Sequence, residues 1–339
     1  MPSITGVSAV GAVPDPEGHG PSLTDRAASG GRGQLGDRLF GGTARGAGLL
    51  VVALVTLIAV FLLSQALPSL AKDKVNFLTS TKWEVDGTPL QFGIANMLWV
   101  TVLSSVIAMM IAVPLGVGVA LFITQYAPRW LSRPAATLVD LLAAVPSIVY
   151  GLWGLQVFGP HMAGVQSVLE SLFGWFPLLA PTGIGAASTI LTVAVVLSIM
   201  VLPIVTPLSR DVFDQTPVTH KEGALALGAT KWEMIRTAVL PFGKPGVISA
   251  SMLGLGRALG ETVAVMIILS ALADNTAWTW SMFNGGETFA SKIANNAAEF
   301  DSPQKAGAFM AAGLVLFLLT FVVNSIARVV IERRKAFSE

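Results

Sequence analysis

Long apolar stretches separated by shorter polar ones dominate the sequence from residue 46 onward. Each stretch reaches the length of about 20 residues that a helix needs to cross a bilayer, whereas a membrane β-barrel would show alternating segments of about 10 residues. The pattern therefore predicts an all-α integral membrane protein. We expect six transmembrane helices, at about residues 48–70, 94–124, 135–158, 187–208, 246–272 and 307–331.

Residues 1–45 lack this pattern and are rich in Gly, Pro, Ser and Arg, a composition typical of disordered segments. We expect a disordered N-terminal tail, followed by a six-span membrane domain over residues 46–335. The apolar run at residues 48–67 begins too far along the chain, and is too long, for the core of a signal peptide. It is interpreted as an uncleaved first span.

The composition agrees with a membrane protein and narrows the chemistry. Only 12% of the residues are charged and the mean hydropathy is +0.70, against about 25% charged residues in soluble domains. The chain has no cysteine and three scattered histidines, which excludes disulfides and makes a metal centre unexpected. A net charge of +1 offers no general attraction to nucleic acid.

The distribution of basic residues predicts the orientation. If both termini are cytoplasmic, fifteen of the 21 Lys and Arg residues fall in cytoplasmic segments and five in external ones, with Arg257 inside a span. Because cytoplasmic loops carry the excess of Lys and Arg, this arrangement is the one we expect.

The loop over residues 209–245, named here the EAA-like loop, is long and well patterned. Residues Lys221–Leu227 and Thr230–Leu240 are predicted to be short helices, with Gly228 at the C′ position of the first and Pro241 ending the second. Apolar residues recur at helical spacing in the second helix. Such an amphipathic hairpin can lie in the lipid interface or insert into a groove on a soluble partner. The apolar stripe consists of Trp232, Ile235 and Val239.

The stretch "EGALALGATKWEMIRTAVLP" resembles the EAA loop of ABC-importer permeases, with mild departures at Gly223 and Ala238. This resemblance implies a MetI-like permease core whose hairpin docks into a cleft on a separate ATPase subunit. ATP and Mg²⁺ would be bound there, so this chain would hold no cofactor and would not be an enzyme. The chain indeed lacks a Gly-x-x-x-x-Gly-Lys-Ser/Thr phosphate loop. The residues expected to form the coupling contact are Glu222, Ala224, Gly228, Ala229, Leu240 and Pro241.

Two other stretches, "PSIVYGLWG" at residues 146–154 and "GRALGETVAV" at residues 256–265, resemble the PstC-type permeases of phosphate importers. The resemblance implies a bacterial inner membrane location and a phosphate cargo. It also implies a PstA-type second permease, a PstB-type ATPase dimer and an extracytoplasmic PstS-type binding protein as partners. A permease for sulfate or molybdate is the alternative in the same class. A proton-coupled secondary transporter, with Glu261 or Asp140 as proton carrier, is the alternative from another class.

Arg257 and Glu261 are two full charges within the fifth apolar stretch. An uncompensated charge at the bilayer centre costs about 2.5–3.5 kcal/mol on insertion scales, and such residues usually line pathways. On a continuous helix the two side chains share a face at i, i+4 and can pair. We expect Arg257 to grip an oxyanion in two places, with Glu261 as a counter-charge that phosphate displaces. A purely structural ion pair is the other interpretation.

Other polar and small residues near these charges complete the candidate site. Ser147 and Tyr150 can offer hydroxyl groups to a passing oxyanion or hydrogen-bond to neighbouring helices. Asp140 is interpreted as a charge at the cytoplasmic start of the third span, or as a partner for a basic residue such as Arg257. Small residues in the fifth span allow close helix approach, as in other membrane helices. They are Gly254, Gly256 and Gly260.

Overall fold

The computed structural model describes residues 30–335 except 88, 270–271 and 273–277, with side chains described between residues 38 and 329. The chain divides within its first helix into two units, at Ile58 and Ala59. Twelve α-helices and one two-stranded ribbon occur in the described residues. The helices are α1 Gly30–Leu70, α2 Ala95–Leu121, α3 Arg129–Leu142, α4 Ser147–Trp153, α5 Gly159–Phe173, α6 Ile190–Asp214, α7 Val218–Ala226, α8 Lys231–Met234, α9 Leu240–Gly260, α10 Val263–Ile268, α11 Phe289–Asn295 and α12 Pro303–Lys335.

Five helical segments in the described part of the chain are long and apolar enough to cross a membrane, and a sixth span results if one bent pair is counted. This confirms the predicted all-α membrane class. The first helix begins earlier than expected, because residues 30–45 are helical rather than disordered. Residues 1–29 of the predicted tail lie outside the described residues.

The third apolar stretch is not the single helix predicted over residues 135–158. It consists of α3 and of a second segment over residues 147–173, in which α4 and α5 are joined by a π-helical turn, and the two directions differ by 90°. Pro146 lies in the bend with an extended backbone, φ −60° and ψ 140°. Proline has no amide hydrogen and disfavours helical backbone in the residue before it, so the chain turns here instead of continuing.

The fifth stretch also differs from the prediction, at both of its ends. Pro241 does not end a helix, since α8, a π-helical turn over Ile235–Val239 and α9 follow one another without a gap. The π-helical turn ends at Val239, and Pro241 follows two residues later in the first turn of α9, the part of a helix that tolerates a proline best. At the other end the helix stops at Gly260, and the backbone of Glu261 is extended, with φ −68° and ψ 124°.

The main core lies where α2 and α6 pack along each other. Val100, Leu103 and Ile107 of α2 are buried against Val193 and Leu197 of α6. Small side chains let the two helices approach closely, as is usual where lipid supplies no hydrophobic driving force. A Cβ atom added at Gly116 of α2, for example, would lie 3.1 Å from Val205 Cγ1 of α6.

A smaller assembly covers the end of the bundle opposite the EAA-like loop. Strands β1 (Trp83–Glu84) and β2 (Gln91–Phe92) pair antiparallel, with Trp83 opposite Phe92. Phe92 and Phe309 of α12 are buried in the cluster beneath the ribbon. Lys305, whose side chain is 8% exposed, ties α12 to the ribbon through an ion pair with Asp86.

Candidate transport pathway and coupling loop

The side chains of Glu261 and Thr262 stabilise the break between α9 and α10. Glu261 Oε1 accepts a hydrogen bond from the amide of Ala264 at 3.3 Å, which satisfies a donor in the first turn of α10. The hydroxyl group of Thr262 donates to the carbonyl oxygen of Gly260 at 3.2 Å. The Glu261 side chain is buried, at 8% exposure. In this conformation the carboxylate therefore caps the short helix that follows it.

Arg257 stands on the other side of the break, in the last turn of α9, and its side chain is exposed. Among the described side chains, no Asp or Glu oxygen comes within 4.0 Å of its guanidinium. The expected pair between Arg257 and Glu261 is thus not formed. Pairing at i, i+4 requires a continuous helix, and the backbone leaves the helix at Glu261.

The exposed guanidinium shares a face of α9 with two glycines. Leu253, Gly256, Arg257 and Gly260 follow one another at helical i, i+3, i+4 and i+7 spacing, and an added Cβ at either Gly256 or Gly260 would meet nothing within 4 Å. This surface, named here the open face of α9, has room for another helix or for a solute. Gly254 points elsewhere, because its added Cβ would lie 2.8 Å from Val201 Cγ1 of α6.

The two stretches that carry the PstC-type resemblance lie against each other in the structure. A Cβ atom added at Gly151 of α4 would approach the backbone of Ala264 in α10 to 3.0 Å. One added at Gly154 would come within 2.8 Å of Ile268 Cδ1. A larger residue at position 151 would press on the backbone of α10, and one at position 154 would displace the side chain of Ile268. The glycines of one stretch therefore hold the helix that follows the break in the other.

Tyr150 joins this region. Its side chain is buried, and its hydroxyl group donates to the carbonyl oxygen of Leu142 at 3.0 Å across the bend. In this conformation the hydroxyl group stabilises the bend between α3 and α4. Ser147 is the first residue of α4, one turn before Tyr150, and is partly buried.

Asp140 lies apart from these residues. It is the third residue from the end of α3, and its half-exposed carboxylate lies 3.6 Å from Nη1 of Arg210 in α6. Arg210 also contacts Asp211, at 3.2 Å. Asp140 therefore neither begins a membrane span nor pairs with Arg257. An exposed pair of this length contributes about 0–1 kcal/mol.

The first half of the EAA-like loop folds as the glycine pattern predicts. Helix α7 ends in a Schellman motif, in which the amide of Ala229 donates to the carbonyl oxygen of Ala224 and the amide of Gly228 donates to that of Leu225. Gly228 has φ +84°, a left-handed conformation that favours glycine. The predicted C′ position of Gly228 is confirmed. The motif orients the start of the following helix.

A capping box begins that following helix. Thr230 Oγ1 accepts from the amide of Glu233 at 3.3 Å, and Glu233 Oε2 accepts from the amide of Thr230 at 2.8 Å. Of the predicted apolar stripe, Ile235 and Val239 are buried, whereas Trp232 is 56% exposed.

Part of the loop is anchored on the bundle and part projects from it. Met234, Ile235 and Val239 form one buried cluster with Leu121 of α2 and Phe213 of α6. Ala224 and Leu240 pack at the edge of this cluster, and Ala229 is partly buried. The outward surface of the loop, named here the projecting patch, consists of Glu222, Leu225, Leu227, Trp232 and Pro241, all of them exposed.

The residues that anchor this loop are not among those predicted from the sequence. Gly243 of α9 lies so close to Phe213 that an added Cβ would overlap the phenylalanine ring, which is fully buried. The only signal in the sequence is a glycine four residues after Val239, the last residue of the apolar stripe. In the described residues, no group of three or more His, Cys, Asp or Glu side chains is placed to hold a metal ion.

Comparisons with known proteins agree with this arrangement. The family model described as "Binding-protein-dependent transport system inner membrane component" matches residues 112–336. The chain is 52% identical over 298 residues to "Phosphate transport system permease protein PstC 2" of Mycobacterium tuberculosis, covering 87% of this chain and 91% of that protein. It is 39% identical over 306 residues to "Phosphate transport system permease protein PstC" of Mesorhizobium japonicum, covering 88% and 91%.

Two solved structures share the fold. The inward-facing MetNI methionine ABC transporter matches with a TM-score of 0.53 at 14% identity, covering 71% of this chain and 95% of the matched chain. A bacterial ABC transporter involved in the import of alginate matches with a TM-score of 0.53 at 17% identity, covering 87% and 99%. The chain therefore belongs to the family of binding-protein-dependent transport system inner membrane components, and among its members it groups with the PstC permeases.

Proposed function

We propose that the chain is a transmembrane permease subunit of an ATP-driven importer of inorganic phosphate. It would form half of the translocation pathway and work with a second permease, a separate ATPase and an extracytoplasmic binding protein. The names and the 52% and 39% identities of the PstC relatives support phosphate over sulfate or molybdate. The fit of the two motif stretches against each other supports the same assignment, because both contribute to one site.

The observation that carries the proposal is the position of Arg257 on the open face of α9. A guanidinium presents five N–H donors in a planar fork that matches the oxygens of phosphate in two places. A charge within a membrane span is retained when it serves a pathway or a partner. With the carboxylate of Glu261 occupied in capping α10, the guanidinium of Arg257 is the group available to an oxyanion.

The EAA-like loop is proposed to receive the motion of the ATPase. The projecting patch combines apolar side chains, Leu227 at 91% and Trp232 at 56% exposure, with the acid Glu222. An exposed patch of this kind is expected where a partner binds. The helical segment that starts at Lys231 runs without interruption to Gly260. Arg257 lies 26 positions after Lys231, so at 1.5 Å per residue the two are about 39 Å apart along the helix, enough to carry a displacement of the loop to the substrate contact.

The orientation follows from the same proposal. The EAA-like loop and both termini would be cytoplasmic, which agrees with the excess of Lys and Arg on that side. The ribbon and Lys305 would face outward, toward the binding protein. ATP and Mg²⁺ would be bound by the partner ATPase and not by this chain.

Uptake of labelled phosphate by Arg257 variants tests the proposal. Replacing Arg257 with Leu removes two charge-assisted hydrogen bonds of about 1.5–3 kcal/mol each, so uptake should fall by about two orders of magnitude or more. Arg257→Lys keeps the charge but loses the fork, and should retain intermediate uptake. Lys72→Leu, an exposed position outside the spans, serves as the control. Normal uptake by the Leu variant, with assembly of the complex verified, contradicts the proposal.

The alternatives give different results in the same assay. A sulfate or molybdate permease would show uptake of labelled phosphate that excess sulfate or molybdate suppresses. A proton-coupled carrier would keep working after ATP depletion and would lose activity in Glu261→Gln. The ATP-driven importer should stop when ATP is depleted. In an ATP-driven importer the Glu261→Gln variant should keep the native fold, since the amide oxygen of Gln can still accept the hydrogen bond from the amide of Ala264.

A further inference from the structure

Helix α3 has an apolar face that no part of the described chain covers. No residue of α3 is buried. Trp130, Leu138, Leu141 and Leu142 are 76%, 64%, 60% and 45% exposed, and their spacing puts them on one side of the helix. This surface is named here the apolar face of α3. A set of four large exposed apolar side chains on one short helix is expected to contact lipid or another protein.

The opposite side of α3 is polar and positively charged. Arg129, Arg133 and Asp140 lie together on it, and all three are exposed. The carboxylate of Asp140 is engaged with Arg210 of α6. In the part of the chain that the structure describes, no carboxylate oxygen lies within 4.0 Å of Arg129 or Arg133. The two arginines, one turn apart, are therefore free to bind anionic groups.

The length and direction of α3 exclude a membrane crossing. Its 14 residues span about 21 Å, less than the hydrocarbon thickness of about 30 Å. The helix is bent by 90° from the segment over residues 147–173, and the two segments are apolar enough for one span only when taken together. Helix α3 starts just after the end of α2 that packs on the EAA-like loop, and its last turn lies beside Arg210 near the end of α6. Both ends of α3 therefore lie on the same side of the bundle, and the helix runs along that side. The ion pair between Asp140 and Arg210 holds it at the end of α6 that leads into the EAA-like loop.

We propose that α3 is an interfacial helix that binds anionic phospholipids. Its apolar face lies among the upper parts of the acyl chains, and Arg129 and Arg133 bind the headgroup phosphates of the same leaflet. Amphipathic helices with basic polar faces and Trp and Leu on the other side lie in the interface in this way. Charge complementarity selects lipid over a protein partner here, because both free cations lie on the polar side of a helix whose opposite side is apolar, the arrangement that binds headgroups and acyl chains together.

The depth of α3 can be measured directly, since the natural chain contains no cysteine. Single-cysteine variants Leu138→Cys and Arg129→Cys of the full chain, with its co-purifying subunits, are spin-labelled and reconstituted into bilayers containing phosphatidylglycerol. The label at position 138 should collide preferentially with oxygen and lie about 5–10 Å deeper than the label at position 129. Equal access of a water-soluble nickel complex to both labels overturns the proposal. So does shielding of position 138 from both reagents, which would mean that protein covers the face.

The headgroup contact has a separate test. Photoactivatable phosphatidylglycerol is titrated into the reconstituted protein, and cross-linking to the α3 peptide gives an apparent affinity. Arg129→Gln should weaken this affinity about fivefold, and the double variant with Arg133→Gln about 25-fold. Lys72→Gln removes one charge at the other membrane end and should change nothing. Equal cross-linking by a phosphatidylcholine probe, or an unchanged affinity in the double variant, overturns the proposal.

Discussion

Two glycines of α9 differ in what surrounds them and so allow a matched test of the packing. An alanine Cβ at position 254 would lie 2.8 Å from Val201 Cγ1 and 3.1 Å from Val205 Cγ2. Both valines are buried, at 1% and 0% exposure. An alanine Cβ at position 256 would meet nothing within 4 Å. Gly254→Ala and Gly256→Ala therefore make the same chemical change on the same helix in two different environments.

The expected magnitudes follow from two opposing effects. Replacing a glycine with alanine inside a helix stabilises it by about 0.5–1 kcal/mol at either position. At position 254 the added methyl group must displace a buried valine of α6, and overpacking of this kind costs about 1–3 kcal/mol. Because the helix effect cancels between the variants, their stabilities should differ by about 1–3 kcal/mol, with Gly254→Ala the less stable.

Intrinsic tryptophan fluorescence during unfolding in mixed micelles measures the difference, since the chain has eight tryptophans. Equal stability of the two isolated variants would refute the packing of α9 on α6. The assembled complex gives a second result. If another helix lies on the open face of α9, Gly256→Ala should lower assembly even though it stabilises the isolated chain.

Three further substitutions test individual contacts. Gly243→Ala forces a methyl group into the ring of Phe213, which should displace the EAA-like loop and lower phosphate uptake at least about tenfold. Gly223→Ala is the control, because the space around Gly223 is open and uptake should stay unchanged. Tyr150→Phe removes one hydrogen bond and should lower the free energy of unfolding by about 0.5–1.5 kcal/mol with little change in uptake. A large loss of uptake at normal stability would instead indicate that the hydroxyl group contacts the substrate. Lys305→Met should weaken the ribbon, seen as faster amide exchange in its two strands, while Lys72→Met should not.

The features that could be predicted from sequence are those that depend on neighbours along the chain. Long apolar runs require membrane helices wherever they occur, so the class and most of the spans follow from the pattern. Gly228 was predictable because a C′ glycine after a helix has a local cause, the positive φ that closes a Schellman motif.

The helix breaks were not predictable, because the hydropathy of a segment carries no information on the direction of its helix axis. Residues 135–158 are mostly apolar, with Asp140 as their one charge, and only Pro146 indicates that the chain turns by 90°. Conversely, Pro241 was expected to end a helix, yet the π-helical turn before it lets the helix continue into the membrane. Whether a proline breaks a helix or is accommodated within it depends on which backbone hydrogen bonds around it can rearrange.

Contacts between distant segments could not be predicted from the sequence either. Asp140 was expected near the start of a span, and its partner Arg210 lies 70 residues further along the chain on a helix that packs beside α3. Gly243 and Phe213 meet for the same reason, since α9 returns along α6. No periodicity within either segment indicates such a pairing. Only the packing of the helices brings these side chains together.

The break at Glu261 changes what the two intramembrane charges can do. On a continuous helix, the separation of Arg257 and Glu261 would be constant, and no movement of the helix could alter it. In the structure Arg257 belongs to the segment that begins at the EAA-like loop, whereas Glu261 caps α10, which packs on α4 through Gly151. A displacement of α9 relative to α10 therefore changes the distance between the charges. Movement of the loop can thus control which group the guanidinium meets, which a rigid ion pair within one helix would not permit.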